Sequence, residues 1–366
     1  MVTKETMKDR LMKFLQSKRP VFQSPIFVAL FVGAIHITLL AYFFIHHQVG
    51  PEILDNHFGE DMWYDGYYFR EIAVNPLAAA PNLDVPAFRY QRIIYPILAR
   101  LLALGQPAAI DWTLLFISLA SVIAGTWLLA KLLREWQCSA WYAAIYGLFV
   151  GQFVVVRFDT SESLTYLLVL IAITMYERSR YRLMTVFFAL SILTKELAVL
   201  FWLGYLVYWI YQRKWRLVAL LGSAIVPYLL WQVVLFFWLG NFGFAAGGAS
   251  LASLPFAGYV ARSFQPSMAL FPLILILPAL LCLGSGFFHM YRYGITALGI
   301  AMILNALLIV FMPEESTGEI RAVGRMALGL VLAATLFWGK TRQYRGLNYA
   351  ILWIPLSTIY LVSLFG

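Results

Sequence analysis

Asp55-Asn-His-Phe-Gly-Glu60-Asp61-Met-Trp-Tyr64-Asp65-Gly66-Tyr-Tyr68-Phe-Arg70, continued by Arg89-Tyr-Gln-Arg92-Ile-Ile-Tyr-Pro96, is the longest polar stretch between apolar runs in a chain of 366 residues. It gathers the carboxylates Asp55, Glu60, Asp61 and Asp65, the rings of Trp63, Tyr64, Tyr67, Tyr68 and Phe69, and then Arg89 and Arg92. Carboxylates serve as a general base or hold a metal, aromatic rings stack on a sugar face, and arginines hold phosphate. A solvated acidic loop is the plain alternative, but solvated linkers are not this aromatic. The rings have a plain alternative of their own, a belt at the headgroup level.

Everything around this stretch is oily. Hydrophobic residues make up 62% of the chain, charged residues 12%, and mean hydropathy is +0.77. Soluble domains carry about 25% charged residues, so the composition specifies a polytopic membrane protein. Met1–Pro20 is basic, and the apolar run 25–45 that follows covers about 30 Å at 1.5 Å per residue. No small-residue cleavage site ends it, so it reads as a retained helix. The chain divides into a basic cytoplasmic segment, 1–24, and one transmembrane domain, 25–366, whose first outer loop is 46–110. Cys138 and Cys282 lie in or beside apolar runs and suggest no disulfide framework.

Breaks in hydrophobicity predict eleven spans, near 25–45, 111–133, 139–156, 163–176, 183–194, 197–211, 217–239, 267–287, 294–312, 326–338 and 347–365. With the N-terminus inside, 18 of the 27 basic residues fall on inner loops, against only Glu5, Asp9, Glu135 and Glu177 among the acids. The net charge of +9 is thus a topology signal, and nucleic acid is not an expected partner. Thr194-Lys195-Glu196 interrupts the apolar run 183–211. A turn there keeps the basic clusters 178–182 and 213–216 on one side, with two arms that need a wet cavity at the turn. Residues 89–106 read as an interfacial helix on the outer face.

Nine basic residues break the inner pattern: Arg70, Arg89, Arg92, Arg100, Arg157, Lys195, Arg262, Arg321 and Arg325. Ionisable groups near membrane depth are costly and mark functional pathways. Each can be read locally, as a helix-end ion pair: Arg157 near Asp159 and Glu162, Lys195 beside Glu196, Arg321 beside Glu319. Delivery of so many cations to one face favours a shared anionic ligand. Asp61 and Asp65, four apart, share a helical face and are candidates for catalysis or, together, for a divalent metal. His46, His47 and His57 match no zinc spacing, and His36 reads as a packing residue. No phosphate-binding glycine loop or Gly-x-Ser-x-Gly elbow is present, which leaves a nucleotide-sugar donor without a home.

The string Tyr64-Asp65-Gly66-Tyr67-Tyr68-Phe69-Arg70-Glu71-Ile72-Ala73, then Arg89-Tyr90 and Ile94-Tyr95-Pro96-Ile97-Leu98-Ala99-Arg100, resembles the first loop of the GT-C glycosyltransferases. It is most similar to the branch with the GPI mannosyltransferase PIG-V and its bacterial relatives in cell-surface glycopolymer synthesis. Ser161-Glu162-Ser163-Leu164, Leu193-Thr194-Lys195-Glu196 and Gly318-Glu319-Ile320-Arg321 are similar to later outer-face motifs of that family. The resemblance implies an all-α membrane enzyme that takes mannose or a similar sugar from a polyprenyl-phosphate carrier, with an essential first-loop acid. The acceptor would be a glycan, lipid or glycopolymer, and the setting a bacterial cytoplasmic membrane with the site facing outward. Tyr64 stands where Trp is common and Lys195 where arginine is frequent, and the acids are spaced Asp-x-x-x-Asp rather than Asp-x-Asp.

The expected roles are then Asp65 and Asp61 for catalysis, and Arg89, Arg92, Arg157, Lys195, Arg321 and Arg325 for the donor phosphate. Glu60, Glu162, Glu196, Glu319, Tyr64 and Tyr68 would support them. The lipid-linked sugar is the co-substrate, and a divalent metal on Asp61 and Asp65 is an open expectation. A flippase or transporter of a lipid-linked saccharide is the alternative, but it should carry matched repeats, and none is visible. An O-antigen-type polymerase or ligase usually places its large outer loop later in the chain.

Overall fold

The computed structural model describes residues 22–46, 65–247, 252, 254–262, 272–317 and 320–358. These residues are helices and short connections. The principal helices are α1 (Pro25–His46), α2 (Asp65–Val74), α3 (Pro86–Tyr90), α4 (Ile94–Leu102), α5 (Pro107–Glu135), α6 (Ala143–Gly147), α7 (Val150–Arg157) and α8 (Glu162–Glu177). There follow α9 (Tyr181–Thr194), α10 (Val199–Tyr211), α11 (Trp215–Gly222), α12 (Val226–Leu239), α13 (Leu277–Tyr293), α14 (Ala297–Val310) and α15 (Ile320–Lys340).

Among the described residues, five helices are long and apolar enough to cross a membrane: Pro25–Ile45, Pro107–Glu135, Trp215–Leu239, Leu273–Tyr293 and Arg321–Lys340. The expected span 139–156 is a pair of short helices bent by 54°. The break falls where Phe149 takes an extended conformation, φ −66° and ψ 139°. Tyr181–Thr194, Glu196–Tyr211 and Ala297–Val310 are apolar but shorter than a bilayer requires. Of the expected span 347–365, residues 359–365 lie outside the described residues, and the rest falls in two short helices, Tyr344–Ala350 and Trp353–Thr358. The interfacial helix expected over 89–106 is likewise divided, into α3 and α4.

Lys195 is extended and ends α9; a short turn, Glu196–Ala198, then opens α10. Tyr181 at the start of α9 meets Trp209 at the end of α10 with ring centroids 5.4 Å apart, and Phe188 meets Tyr205 at 5.9 Å. The two arms therefore run antiparallel. Arg178–Arg182 and Arg213–Arg216 lie at the same end, and Lys195 lies at the other.

The core is built by α5 against α1 and α8, α8 against α9, α10 and α13 against α14, and α15 against α14 and α7. One end carries Lys340 paired with Glu177, with Lys340 also over the Trp136 ring at 5.0 Å. Arg134 donates to the Gln23 carbonyl at that end, 2.8 Å away. Glu162, fifteen residues before Glu177 on α8, marks the opposite end, about 22 Å away along the helix. His36 is held within the bundle, its Nε2 2.9 Å from the Gly147 carbonyl oxygen and its ring stacked on Phe153.

The helix α2 is clamped on two faces at the Glu162 end. Phe69 and Ala73, four apart, pack with Tyr95, Ala99, Ile110 and Leu114 of α4 and α5. Tyr68 and Ile72 pack with Leu83, Tyr90 and Leu235. Arg100 closes the far end of α2, donating to the carbonyls of Ala73 and Val74 at 2.9 and 2.6 Å. Arg100 is thus a helix cap, satisfying carbonyls that a helix end leaves open.

Candidate active site

Asp65 is the first residue of α2. Its position depends on the next residue: a Cβ on Gly66 would lie 2.2 Å from the Phe158 carbonyl oxygen and 3.3 Å from Cβ of Asp159. Glycine alone lets the start of α2 rest on the backbone between α7 and α8. A second close approach sits beneath it. A Cβ on Gly151 of α7 would be 2.2 Å from the Gly324 oxygen of α15. That crossing brings the Arg321–Arg325 turn of α15 up to α7 and α2.

Four cations and four acids meet here. Arg89 pairs with one oxygen of Asp65. Arg325 Nη1 donates to Oδ2, 2.6 Å away, and Arg92 Nη1 lies 3.6 Å from the same oxygen. Each guanidinium also holds a second acid. Arg89 donates to both oxygens of Asp84, at 2.8 and 2.7 Å, and Arg92 to both oxygens of Glu196, at 3.0 and 2.5 Å. Arg325 lies 3.2 Å from Oε1 of Glu162, the same atom that accepts from Lys195 Nζ at 2.5 Å. Tyr68 offers its ring face to Arg89, 4.2 Å from the centroid, and Phe88 covers Arg92 at 4.5 Å.

Glu162 is fully enclosed, and Arg92 and Lys195 are 5% exposed. Charges are buried only when paired in this way. Burial alone would raise the Asp65 carboxyl. The cations Arg325, Arg89, Arg92 and Lys195 outweigh it and hold the group well below the usual carboxylate range. Burial acts in the same direction on Asp84, and Arg89 again outweighs it, so that group also is lowered.

The local ion pair expected between Lys195 and Glu196 is not the one that forms. Lys195 pairs with Glu162, 33 positions away, instead of its neighbour Glu196; Glu196 pairs with Arg92, 104 positions away. Arg157 and Arg321 share the ring of Phe158, at 5.0 and 5.4 Å, and Arg157 also covers Phe43 at 4.4 Å. Through Phe158, whose carbonyl touches Gly66, these two cations form a second group beside the first. Arg70 belongs elsewhere: it holds Asp111 at 3.0 Å and Glu71 at 3.4 Å.

Asp61, Glu60, Tyr64 and Glu319 lie outside the described residues, as do His47 and His57. Among the described residues no three His, Cys, Asp or Glu side chains group as metal ligands do. The divalent metal expected on Asp61 and Asp65 falls partly outside the described residues, with Asp61; guanidiniums engage both oxygens of Asp65. Asp84 was missed in the sequence. Its only signal there is an acid five positions before Arg89, next to the start of a proline-opened turn.

No protein-family description matches the chain, and no curated protein is similar to it. Two solved structures are similar, both of ArnT from Cupriavidus metallidurans. The apo form is 17% identical over 77% of this chain and 56% of its own length, with a TM-score of 0.45. The form bound to undecaprenyl phosphate is 16% identical over 82% of this chain and 59% of its own length, also with a TM-score of 0.45. The chain thus spans less than two thirds of the proteins it matches. That likeness falls short of a shared fold and fixes no residue's role.

Proposed function

We propose that this integral membrane protein is a glycosyltransferase that moves a sugar from a polyprenyl-phosphate carrier to a hydroxyl of a glycan, lipid or glycopolymer acceptor. The reaction would take place at the membrane face opposite the basic loops. One observation carries this reading: Arg89, Arg92, Lys195 and Arg325, from separate parts of the chain, converge with a single-residue acid, Asp65, at one end of an apolar bundle. A lipid-linked phosphosugar presents a phosphate at that depth while its chain stays in the bilayer.

In the transfer, Asp65 takes the proton from the acceptor hydroxyl as the new bond from its oxygen to the anomeric carbon forms. The bond from that carbon to the phosphate oxygen breaks, and the bonding pair leaves with the polyprenyl phosphate. Attack from the face opposite the leaving group inverts the anomeric centre. A placed carboxylate contributes about 10²–10⁴-fold. Fixed guanidiniums in a poorly hydrated groove bind the leaving phosphate more strongly as its charge grows, which lowers the barrier and not merely the donor's dissociation constant. Arg157 and Arg321 on Phe158 flank this centre and complete the cationic rim. Mannose, or a similar hexose or pentose, is the sugar this reading carries over from the GT-C resemblance.

The test is a purified, reconstituted chain given radiolabelled polyprenyl-phosphate sugars. A new glycosidic product supports transfer. A protein that only moved the lipid across the bilayer would return the donor intact.

A further inference from the structure

The pairing pattern around Asp65 is asymmetric in a way that an ordinary salt-bridge network is not. Arg89, Arg92 and Arg325 each hold Asp65, and each also has a partner of its own: Asp84, Glu196 and Glu162. Lys195 shares Glu162. Take Asp65 away and every cation keeps an acid that positions it. Among the described residues, what remains is four cations against three acids, one net positive charge at the place Asp65 leaves. Asp65, on the first residue of α2, fills that place.

A sugar joined through phosphate to a polyprenol is a phosphodiester, which carries one negative charge. Its two free oxygens can take the same guanidinium donors that the two carboxylate oxygens take now. Both anions cannot hold Arg89 and Arg325 in this way together. A carboxylate whose oxygens are both engaged is also a poor acceptor for a hydroxyl proton.

Resting on the function proposed above, we propose that the Asp65 carboxylate occupies the donor's phosphodiester position in the resting protein, and that the arriving donor displaces it. Displacement releases both oxygens of Asp65 beside the bound sugar. The base becomes competent only when there is a donor to use it on, and in the resting site both of its oxygens are engaged. Among the described residues, the charges that set this exchange are Arg89, Arg92, Lys195, Arg325, Glu162 and Glu196, together with Asp84 behind Arg89.

The experiment measures binding of a polyprenyl phosphate without sugar to the full chain in detergent, for the native protein and for Asp65→Asn. The asparagine cannot compete as an anion, so the variant should bind the lipid phosphate on the order of tenfold tighter or more. Equal or weaker binding by a folded Asp65→Asn protein overturns the proposal, since it would make Asp65 a neutral bystander or part of the phosphate site. The native chain gives a second readout, the structure of its complex with the same lipid. Loss of the Asp65 pairs to Arg89 and Arg325, to beyond about 4 Å, supports displacement. Persistence of both pairs with phosphate bound overturns it. Neither arm involves sugar transfer. Tighter lipid-phosphate binding by Asp65→Asn, together with a native chain that transfers no sugar, would keep this inference and lose the transferase.

Discussion

Arg325 reaches Asp65 across 260 positions of sequence, with Nη1 2.6 Å from Oδ2. This contact joins the last long helix of the bundle to the first residue of α2. Arg325 is also 3.2 Å from Glu162, so one side chain ties α2, α8 and α15 together. Arg325→Gln should therefore lower donor efficiency by about ten- to a hundredfold, the loss of a charge-assisted phosphate contact of about 1.5–3 kcal/mol. Transfer rate against donor concentration measures it. Donor dependence equal to that of the native protein would remove Arg325 from the phosphate site.

Lys195 and Glu162 form a buried pair, and the two single variants should behave alike in stability. Breaking a buried pair from one side typically costs about 3–5 kcal/mol because the other charge is stranded. Lys195→Gln should melt early; Lys195→Gln combined with Glu162→Gln should recover most of the loss. Donor use should stay impaired in the double variant, since the cation is still missing. Melting curves and donor titrations on the three proteins in one detergent separate the two effects.

Gly66→Ala places a methyl group where the Phe158 carbonyl stands, and a backbone atom cannot step aside as a flexible side chain can. Overpacking of this kind costs about 1–3 kcal/mol. The start of α2 should lift, carrying Asp65 away from Arg89 and Arg325. The expected result is a loss of transfer much larger than the drop in melting temperature, read by assaying both on the same preparation.

Topology and acid sensitivity are open to direct measurement. Leu77 is 84% exposed just after α2, and Gln212 is exposed at the end that carries the basic clusters. A cysteine at 77 should react with an impermeant reagent from one side of the membrane and a cysteine at 212 from the other; Cys138 and Cys282 are buried and should stay silent.

Asp65 has a lowered folded-state pKa. Its contribution to stability is then fully present above the unfolded value, about 3.9, and is lost as pH falls through the lower folded value. If the donor displaces it, the carboxyl loses its guanidinium partners and its pKa rises in the complex. The acid limb of kcat should then lie at higher pH than that of kcat/KM, because the first reports the bound enzyme and the second the free one. Coincident limbs would contradict displacement.

Much of this was legible from residues alone. The apolar runs 25–45 and 163–176 correspond closely to Pro25–His46 and Glu162–Glu177, since long hydrophobic helices reveal themselves by composition. The convergence of Arg89, Arg92, Lys195 and Arg325 was expected from charges out of place in an oily chain. Their partners could not be read. Lys195 and Glu196 are adjacent, yet they point to Glu162 and Arg92, because the extended Lys195 separates their directions. The bend at Phe149 was hidden because an apolar run reads the same whether it is one straight helix or two. Asp84 gives little signal because its partner Arg89 sits in the five-residue helix α3, too short to carry a hydrophobic period.

Transfer itself is the most direct test of the central claim. Native protein and Asp65→Asn, reconstituted in liposomes, receive a polyprenyl-phosphate-linked radiolabelled sugar and a mixture of lipid and glycan acceptors. The native protein should move label into a new glycosidic linkage of inverted anomeric configuration and release polyprenyl phosphate in equal amount. Asp65→Asn should bind the lipid and move none. A native protein that leaves every such donor unchanged, or an Asp65→Asn protein that turns over as fast as the native one, would contradict the account.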